Sequence, residues 1–248
     1  RGDAGTATVV MDGPGPAFRI IGTHDGTADP NDFQPKIWQK QRMPSLTGFE
    51  IIGNHPEADG IELTGTMQAM IESMLLRQLR DGIRLVKRNR NPLIANNNIY
   101  HNTGAGIRID RCNLHQINIS GNHVSYNRVG GIRIVRSKDI VLNGCTIQDH
   151  AEQGQATGAS LLELQDCQRV NLTGCQLLDG VPFGIDAKTC SQVCIASSTI
   201  LDTRQKQVSK GSIRFSGKGS SNYIQSCILP EEGGLEFSKE SGAQVSRL

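Results

Sequence analysis

Aromatic side chains are scarce: the 248 residues include six Phe, three Tyr and a single Trp. With 37% hydrophobic residues in all, a core that closes around large rings is excluded, and the interior must be built from small aliphatics. No stretch approaches the ~20 apolar residues of a membrane-crossing helix, so no membrane span is expected. The chain opens Arg1-Gly2-Asp3-Ala4 rather than with a basic and then apolar segment, which reads as a mature or trimmed form. A net charge of only +2 is too small an excess to point to nucleic acid, so charge has to be argued locally. Seven cysteines contain no Cys-x-x-Cys pair, which argues against zinc and redox centres.

What is abundant is glycine, with 28 residues, and repetition. The phrase Gly60-Ile-Glu-Leu63 returns as Gly82-Ile-Arg-Leu85, Gly106-Ile-Arg-Ile109 and Gly131-Ile-Arg-Ile134. Weaker copies follow at Leu161-Leu-Glu-Leu164, Gly184-Ile-Asp-Ala187, Ser212-Ile-Arg-Phe215 and Gly234-Leu-Glu-Phe237, at intervals of 22, 24, 25, 30, 23, 28 and 22 residues. Such a period is the signature of a solenoid. A second phrase precedes several of these, as in Ile94-x-x-Asn97-x-Ile99, Ile119-x-x-Asn122-x-Val124 and Leu142-x-x-Cys145-x-Ile147. Apolar residues alternate at period 2, so each coil is expected to hold two or three short strands and no helix. Met67 to Leu79, helical in composition, also fits the repeat.

One coil cannot bury its inner face alone, whereas stacked coils bury a continuous core. The middle residue of the second phrase should then form an interior column of Asn54, Ser73, Asn97, Asn122, Cys145, Cys175, Ser198 and Cys227. Cys112, Cys167 and Cys190 share another recurrent position, six residues after their coil phrase begins. The thiols read as small core residues rather than as disulfides.

The coil period, the Gly-Ile-x-Ile starts and the Asn turns (Asn97-Asn98-Ile99-Tyr100-His101-Asn102 and Asn122-His123-Val124-Ser125-Tyr126-Asn127) resemble the right-handed parallel β-helix proteins of the pectate-lyase-like superfamily. The resemblance runs from Phe49 to about Phe237. It implies an all-β fold, a single right-handed parallel β-helix of about eight to nine coils, and an extracytoplasmic setting. The expected single domain, 1–248, has N-terminal coils and a cap over 1–48 with a long loop at 23–45, regular coils over 49–237, and a C-terminal end over 238–248. That superfamily includes polysaccharide lyases, glycoside hydrolases and mannuronan epimerases. Their motifs are missing: there is no Gly-His-Gly turn, and Asp29-Pro30-Asn31-Asp32 matches the epimerases' Asp-Pro-His-Asp only in part. No residue role therefore carries over.

The site is instead argued from outward columns. In Gly-Ile-x-Ile the isoleucines point inward, so coils stacked at ~4.8 Å align the residues between them. One column reads Glu62, Arg84, Arg108, Arg133, Glu163, Asp186, Arg214, Glu236, and the next Thr64, Val86, Asp110, Val135, Gln165, Lys188, Ser216, Ser238. Lys87, Arg111 and Arg136 lie just beyond the strands. Like charges stacked on a sheet repel, so three successive arginines point to an anionic partner, and a guanidinium fork suits carboxylate or sulfate. An acidic polysaccharide lying along the axis is the expected partner. The competing account pairs these arginines with Glu62, Asp110 and Glu163 in a solvated network.

The expected function is a polysaccharide-active enzyme of lyase or C5-epimerase type, ahead of a non-catalytic module and of a hydrolase, in which Arg108 and Arg133 would neutralise the uronate, with Lys188, Lys87 or His115 as base. Asp110 would be an acid/base or a counterion. Arg84, Lys87, Arg111, Arg136, Glu163 and Asp186 would bind substrate. Hydrolysis would use Glu163 and Asp186, the adjacent acidic pair. A non-catalytic carbohydrate-binding or structural module is the alternative class. No cofactor is expected, and the one spacing open to calcium is Asp25, Asp29 and Asp32. The loop Thr23 to Ser45 carries Trp38, which with Phe33 and Ile37 would plug the N-terminal coil or stack on a sugar. Insertions at Gln148 to Ser160 and Thr203 to Gly211 should border the groove.

Overall fold

A computed structural model describes residues 7–22, 35–40, 42–112, 115–148 and 159–246. Their strands form three wholly parallel sheets of nine, nine and eight strands, visited in rotation by successive turns of the chain. The first sheet runs from Gly15–Ile21 through Ala58–Thr64, Ile83–Val86, Ile107–Asp110, Ile132–Val135, Leu162–Gln165, Phe183–Lys188 and Gly211–Ser216 to Leu235–Phe237. The second begins at Ser45–Thr47 and ends at Ala243–Ser246, and the third begins at Thr8–Met11 and ends at Thr199–Leu201. This is the all-β parallel solenoid, about eight coils high. A six-residue helix at Pro35–Lys40 is the exception to an all-strand expectation. Pro35 occupies its first position, where a missing N–H costs nothing.

The inner rows explain the missing rings. Ile61, Ile83, Ile107, Ile132, Leu162, Ile185 and Ile213 pair rung upon rung, and each is at most 1% exposed. Burying one such side chain contributes roughly 1.5–3 kcal/mol, and branched residues suit the pleated surface.

The corners carry polar columns. Asn97 Nδ2 donates to Asn122 Oδ1 at 2.9 Å, and Asn97 Oδ1 accepts from the Met74 N–H at 3.0 Å. A second ladder joins Asn102 to Asn127 at the next corner, at 2.8 Å. Each amide thereby satisfies backbone groups that the coil turns leave unpaired. The first two members of the expected column differ: Asn54 and Ser73 are exposed. The rung below Asn97 holds Met74, because Leu76, not Leu75, pairs with Ile99. The repeat starts one residue out of step there, and an alternating pattern cannot reveal a one-residue slip until strands are paired.

All seven cysteines are free thiols, five of them buried. Burial pushes the Cys112 thiol up to about 11, so it behaves as an inert core residue.

Candidate functional site

The strands of the first sheet place the predicted outward column in register: Glu62, Arg84, Arg108, Arg133, Glu163, Asp186, Arg214 and Glu236 are successive partners. Arg19 extends it below Glu62. The second column also holds, from Thr64 through Asp110 and Gln165 to Lys188 and Ser216.

From Ala58–Thr64 to Gly211–Ser216 the residue after each strand of this sheet is left-handed, Asp166 and Thr189 among them, and Arg88 repeats the conformation after Lys87. Gly65 and Gly217 take this position in two coils (φ 58° and 70°), whereas Lys87, Arg111 and Arg136 take it in three successive ones (φ 57°, 54° and 48°). A non-glycine residue there costs roughly 1–2 kcal/mol. The cations are thus held at the rim where glycine would be cheaper.

Charge along the column is compensated unevenly. Asp59, fully buried, accepts a two-pronged contact from Arg80 (2.8 and 2.6 Å) and a third bond from Arg84 Nη1 (2.9 Å). Burial alone would raise the Asp59 carboxyl, but the hydrogen bonds from Arg80, the Asp81 N–H and Arg84 outweigh it and leave its pKa lowered. Asp81, also buried, accepts the Ala105 N–H at 2.8 Å. Its other oxygen lies 3.5 Å from Arg108 Nε and 3.8 Å from Arg84 Nε. Arg108 Nε is buried without a hydrogen bond. Higher up, Arg133 pairs with Glu163 at 3.2 Å, and Arg136 grips Asp110 with contacts of 2.8 and 2.9 Å.

Sequence reasoning overlooks Asp59 and Asp81. Their signal is present, since both precede the glycine that opens a coil phrase, 22 residues apart. An Asp-Gly pair reads first as a turn, which hides a buried counterion.

Glu163 and Asp186 occupy neighbouring rungs in unlike surroundings. Desolvation raises the pKa of Glu163, and the Asp186 charge adds to this, against the pull of Arg133 and the Ser160 N–H. Asp186 instead receives Arg214 Nε and Nη2 at 2.9 and 2.6 Å, and that guanidinium also lies 4.4 Å over the Phe183 ring. Both carboxyls are ion-paired, Glu163 by a single contact with Arg133 under desolvation and Asp186 by a two-pronged one with Arg214.

Arg108, Asp110, Arg133, Arg136, Val135 and Gln165 line an open concavity of about 370 Å³. Lys188 is exposed in the same sheet, two rungs beyond Val135, and Lys87 is exposed at its corner. His115 is not brought to this face, and lines a different concavity with Arg42 and Arg90. Both insertions leave the corner between the third sheet and the first, after Thr146–Gln148 and after Thr199–Leu201. Residues 202–210 fold over Asp202, whose carboxylate accepts the N–H groups of Arg204, Val208 and Ser209. They reach the rim beside Phe183, where the Lys210 N–H meets the Pro182 carbonyl at 2.8 Å.

Among the described residues no group of three or more His, Cys, Asp and Glu has the arrangement of a metal site, and no helix is long and apolar enough to cross a membrane. Asp25, Asp29, Asp32, Phe33, the side chains of Ile37 and Trp38, and most of the insertion after Gln148 lie outside the described residues.

A family model described as the right handed beta helix region matches residues 31–160. No curated protein matches the chain significantly. Among solved structures, Geobacillus virus E2 ORF18 superposes with a TM-score of 0.67 at 12% identity, covering 98% of this chain and 46% of that one. Full-length tailspike protein 2 from Escherichia coli O157:H7 bacteriophage CAB120 gives 0.65 at 11% identity, over 81% and 31% of the two chains. DFA-IIIase from Arthrobacter chlorophenolicus A6 gives 0.60 at 11%, over 96% and 69%. The chain spans less than half the length of the first two, and likeness at these identities establishes the fold.

Proposed function

The chain belongs to the right-handed β-helix family, and on that premise we propose that it is a polysaccharide-active protein that engages an acidic, uronate-bearing glycan along the first sheet. The observation that carries this reading is the unbroken register of Arg84, Arg108 and Arg133 running directly into Glu163 and Asp186. The likenesses to a tailspike protein and to DFA-IIIase support a glycan as the ligand class.

Hydrolysis is the chemistry best supported. Glu163 and Asp186 are direct partners on adjacent strands, so their carboxyls can flank one glycosidic bond as the two carboxyls of a glycosidase do. Glu163, which holds its proton more tightly than an ordinary glutamate, would protonate the glycosidic oxygen as the bond to the anomeric carbon breaks. Asp186 would attack that carbon to form a glycosyl ester. Water, deprotonated by Glu163, would then release the sugar and restore both groups. Arg108 and Arg133 would hold the uronate carboxylates of the neighbouring sugars.

A second reading is the lyase or C5-epimerase type, favoured by the concavity that gathers Arg108, Asp110, Arg133 and Arg136. There Arg108 and Arg133 would neutralise the carboxylate, Asp110 or Lys188 would take the C5 proton, and Arg84, Lys87 and Arg111 would extend the binding face.

Incubation with alginate, polygalacturonate and glycosaminoglycans separates the two. Hydrolysis gives new reducing ends without ultraviolet absorbance, elimination gives the conjugated unsaturated uronate, and epimerisation gives solvent proton exchange at C5 alone. No product, no exchange and no binding, with Arg108→Ala indistinguishable from the parent, would sink both readings.

A further inference from the structure

A larger concavity lies away from this face. It measures about 570 Å³, within the range of small-ligand sites, and is lined from the second sheet and the corner that leads into it. Its floor is apolar: Met70 and Leu93 are strand partners, and Met43 beside them is 51% exposed. Its polar rim includes Arg42, Arg90 and His115, and among the described residues no carboxylate lines it. This sets it apart from the concavity on the first sheet, where Asp110 sits among the arginines.

Three observations point to a ligand. Arg42 enters no ion pair among the described residues, none of which brings a carboxylate to the hollow's lining. Gln68, which also lines the hollow, has a buried Oε1 that accepts no hydrogen bond among those residues. That acceptor suits a donor such as a sugar hydroxyl, since leaving it unmet is costly. Finally, Met43 leaves a large apolar side chain half exposed beside the Met70 and Leu93 floor.

We infer that this hollow on the second sheet is a separate binding site for an anionic oligosaccharide. The guanidinium groups take its carboxylate or sulfate, the Met70 and Leu93 floor takes the apolar face of a ring, and Gln68 Oε1 accepts a ring hydroxyl. Arg42 and Arg90 each bridge to Met67 from opposite sides, which sets them two coils apart, about 10 Å. A pyranose ring is about as long as one coil is high, so the two cations match anionic groups on alternate sugars. The site would anchor an acidic chain without cutting it, and it does not depend on the chemistry proposed for the first sheet.

The test is calorimetric titration of the full chain with a polygalacturonate hexasaccharide, a heparin-derived hexasaccharide and a neutral cellohexaose. Arg108→Gln/Arg133→Gln serves as the background in which first-sheet binding is removed. One anionic hexasaccharide should still bind there, roughly tenfold or more weakened by Arg42→Gln and by Met43→Glu. Both changes are on exposed side chains and should leave the melting curve unchanged, and Met43→Glu reports through charge even if Arg42 is locally replaced. Equal binding of cellohexaose, unchanged affinity in both variants, or preferential binding of a single-stranded oligonucleotide over both anionic sugars would overturn the proposal. If the first-sheet reading fails instead, the parent and the background variant will show the same single site, still sensitive to Arg42→Gln.

Discussion

The lower and upper coils of the first sheet carry the same kind of outward column but neutralise it differently. In the lower coils Arg80, Arg84 and Arg108 lean on Asp59 and Asp81, two carboxylates sunk at the strand starts. In the upper coils the equivalent positions are Ala105, Gly130, Ser160 and Phe183, so no buried acid waits below Arg133 or Arg214. Compensation there comes from within the column, from Glu163 and Asp186. A buried counterion that accepts a hydrogen bond, as Asp59 does from Arg80 and Arg84, fixes an arginine as structure, whereas Arg108, 3.5 Å from Asp81 without a hydrogen bond, stays open to a ligand. A counterion at the surface leaves both partners within reach of a ligand. The difference divides one continuous stripe into a half braced from beneath and a half compensated at its own surface.

The sharpest way to break this division is at Glu163. Glu163→Gln should lower glycan cleavage about a thousandfold while leaving thermal stability intact, as kinetics and melting on the same preparation will show. Activity of the parent should fall as pH rises through the raised Glu163 pKa. Stability moves in the same direction: the contribution of a carboxyl with a raised folded pKa is fully present below its unfolded value and is lost as pH rises through the folded one. Glu163→Gln should therefore be neutral or slightly stabilising at pH 7.

Asp59→Ala should do the reverse. Breaking a buried pair costs about 3 kcal/mol or more, read as a lower urea midpoint, with first-sheet chemistry altered only through binding. Because the folded pKa of Asp59 is lowered, its contribution is present above the unfolded value near ~3.9 and is lost as pH falls through the folded one. An acid titration of unfolding should show that loss in the parent and not in Asp59→Ala. An Asp59 variant as stable as the parent would erase the distinction between the two halves.

Smaller effects refine it. Asn122→Ala removes the acceptor of Asn97 and should cost about 1–3 kcal/mol, measured by urea unfolding. Arg136→Gln loosens a pair whose arginine is 57% exposed and should change stability by less than ~1 kcal/mol in the same measurement.

Much of this is legible in the order of the amino acids. Gly-Ile-x-Ile at a regular period dictates stacked coils, since a half-buried strand must find a neighbour with the same face, and stacking alone puts Arg84, Arg108 and Arg133 in one line. The residues that escape are those whose partners lie a coil away at a corner. Ser73 is misplaced because alternation repeats every two residues and does not mark where a turn gains one. Asp59 reads as turn chemistry because its burial depends on the side chain of Arg80 folding back over it. His115 suggests a base by residue type alone, and it lies just before Ile117–Ser120 of the second sheet, away from the arginine column.

By itself, then, the sequence determined the solenoid, its inner aliphatic rows and the order of charges along its outer face, because those follow from period and alternation, which are local. Only the tertiary structure decided which charges are braced from beneath and which are compensated at the surface. Desolvation and pairing depend on groups brought together from positions more than twenty residues apart, as Arg80 meets Asp59 and Arg214 meets Asp186. The same dependence separates a hollow on the second sheet, lined by no carboxylate among the described residues, from the arginine stripe on the first.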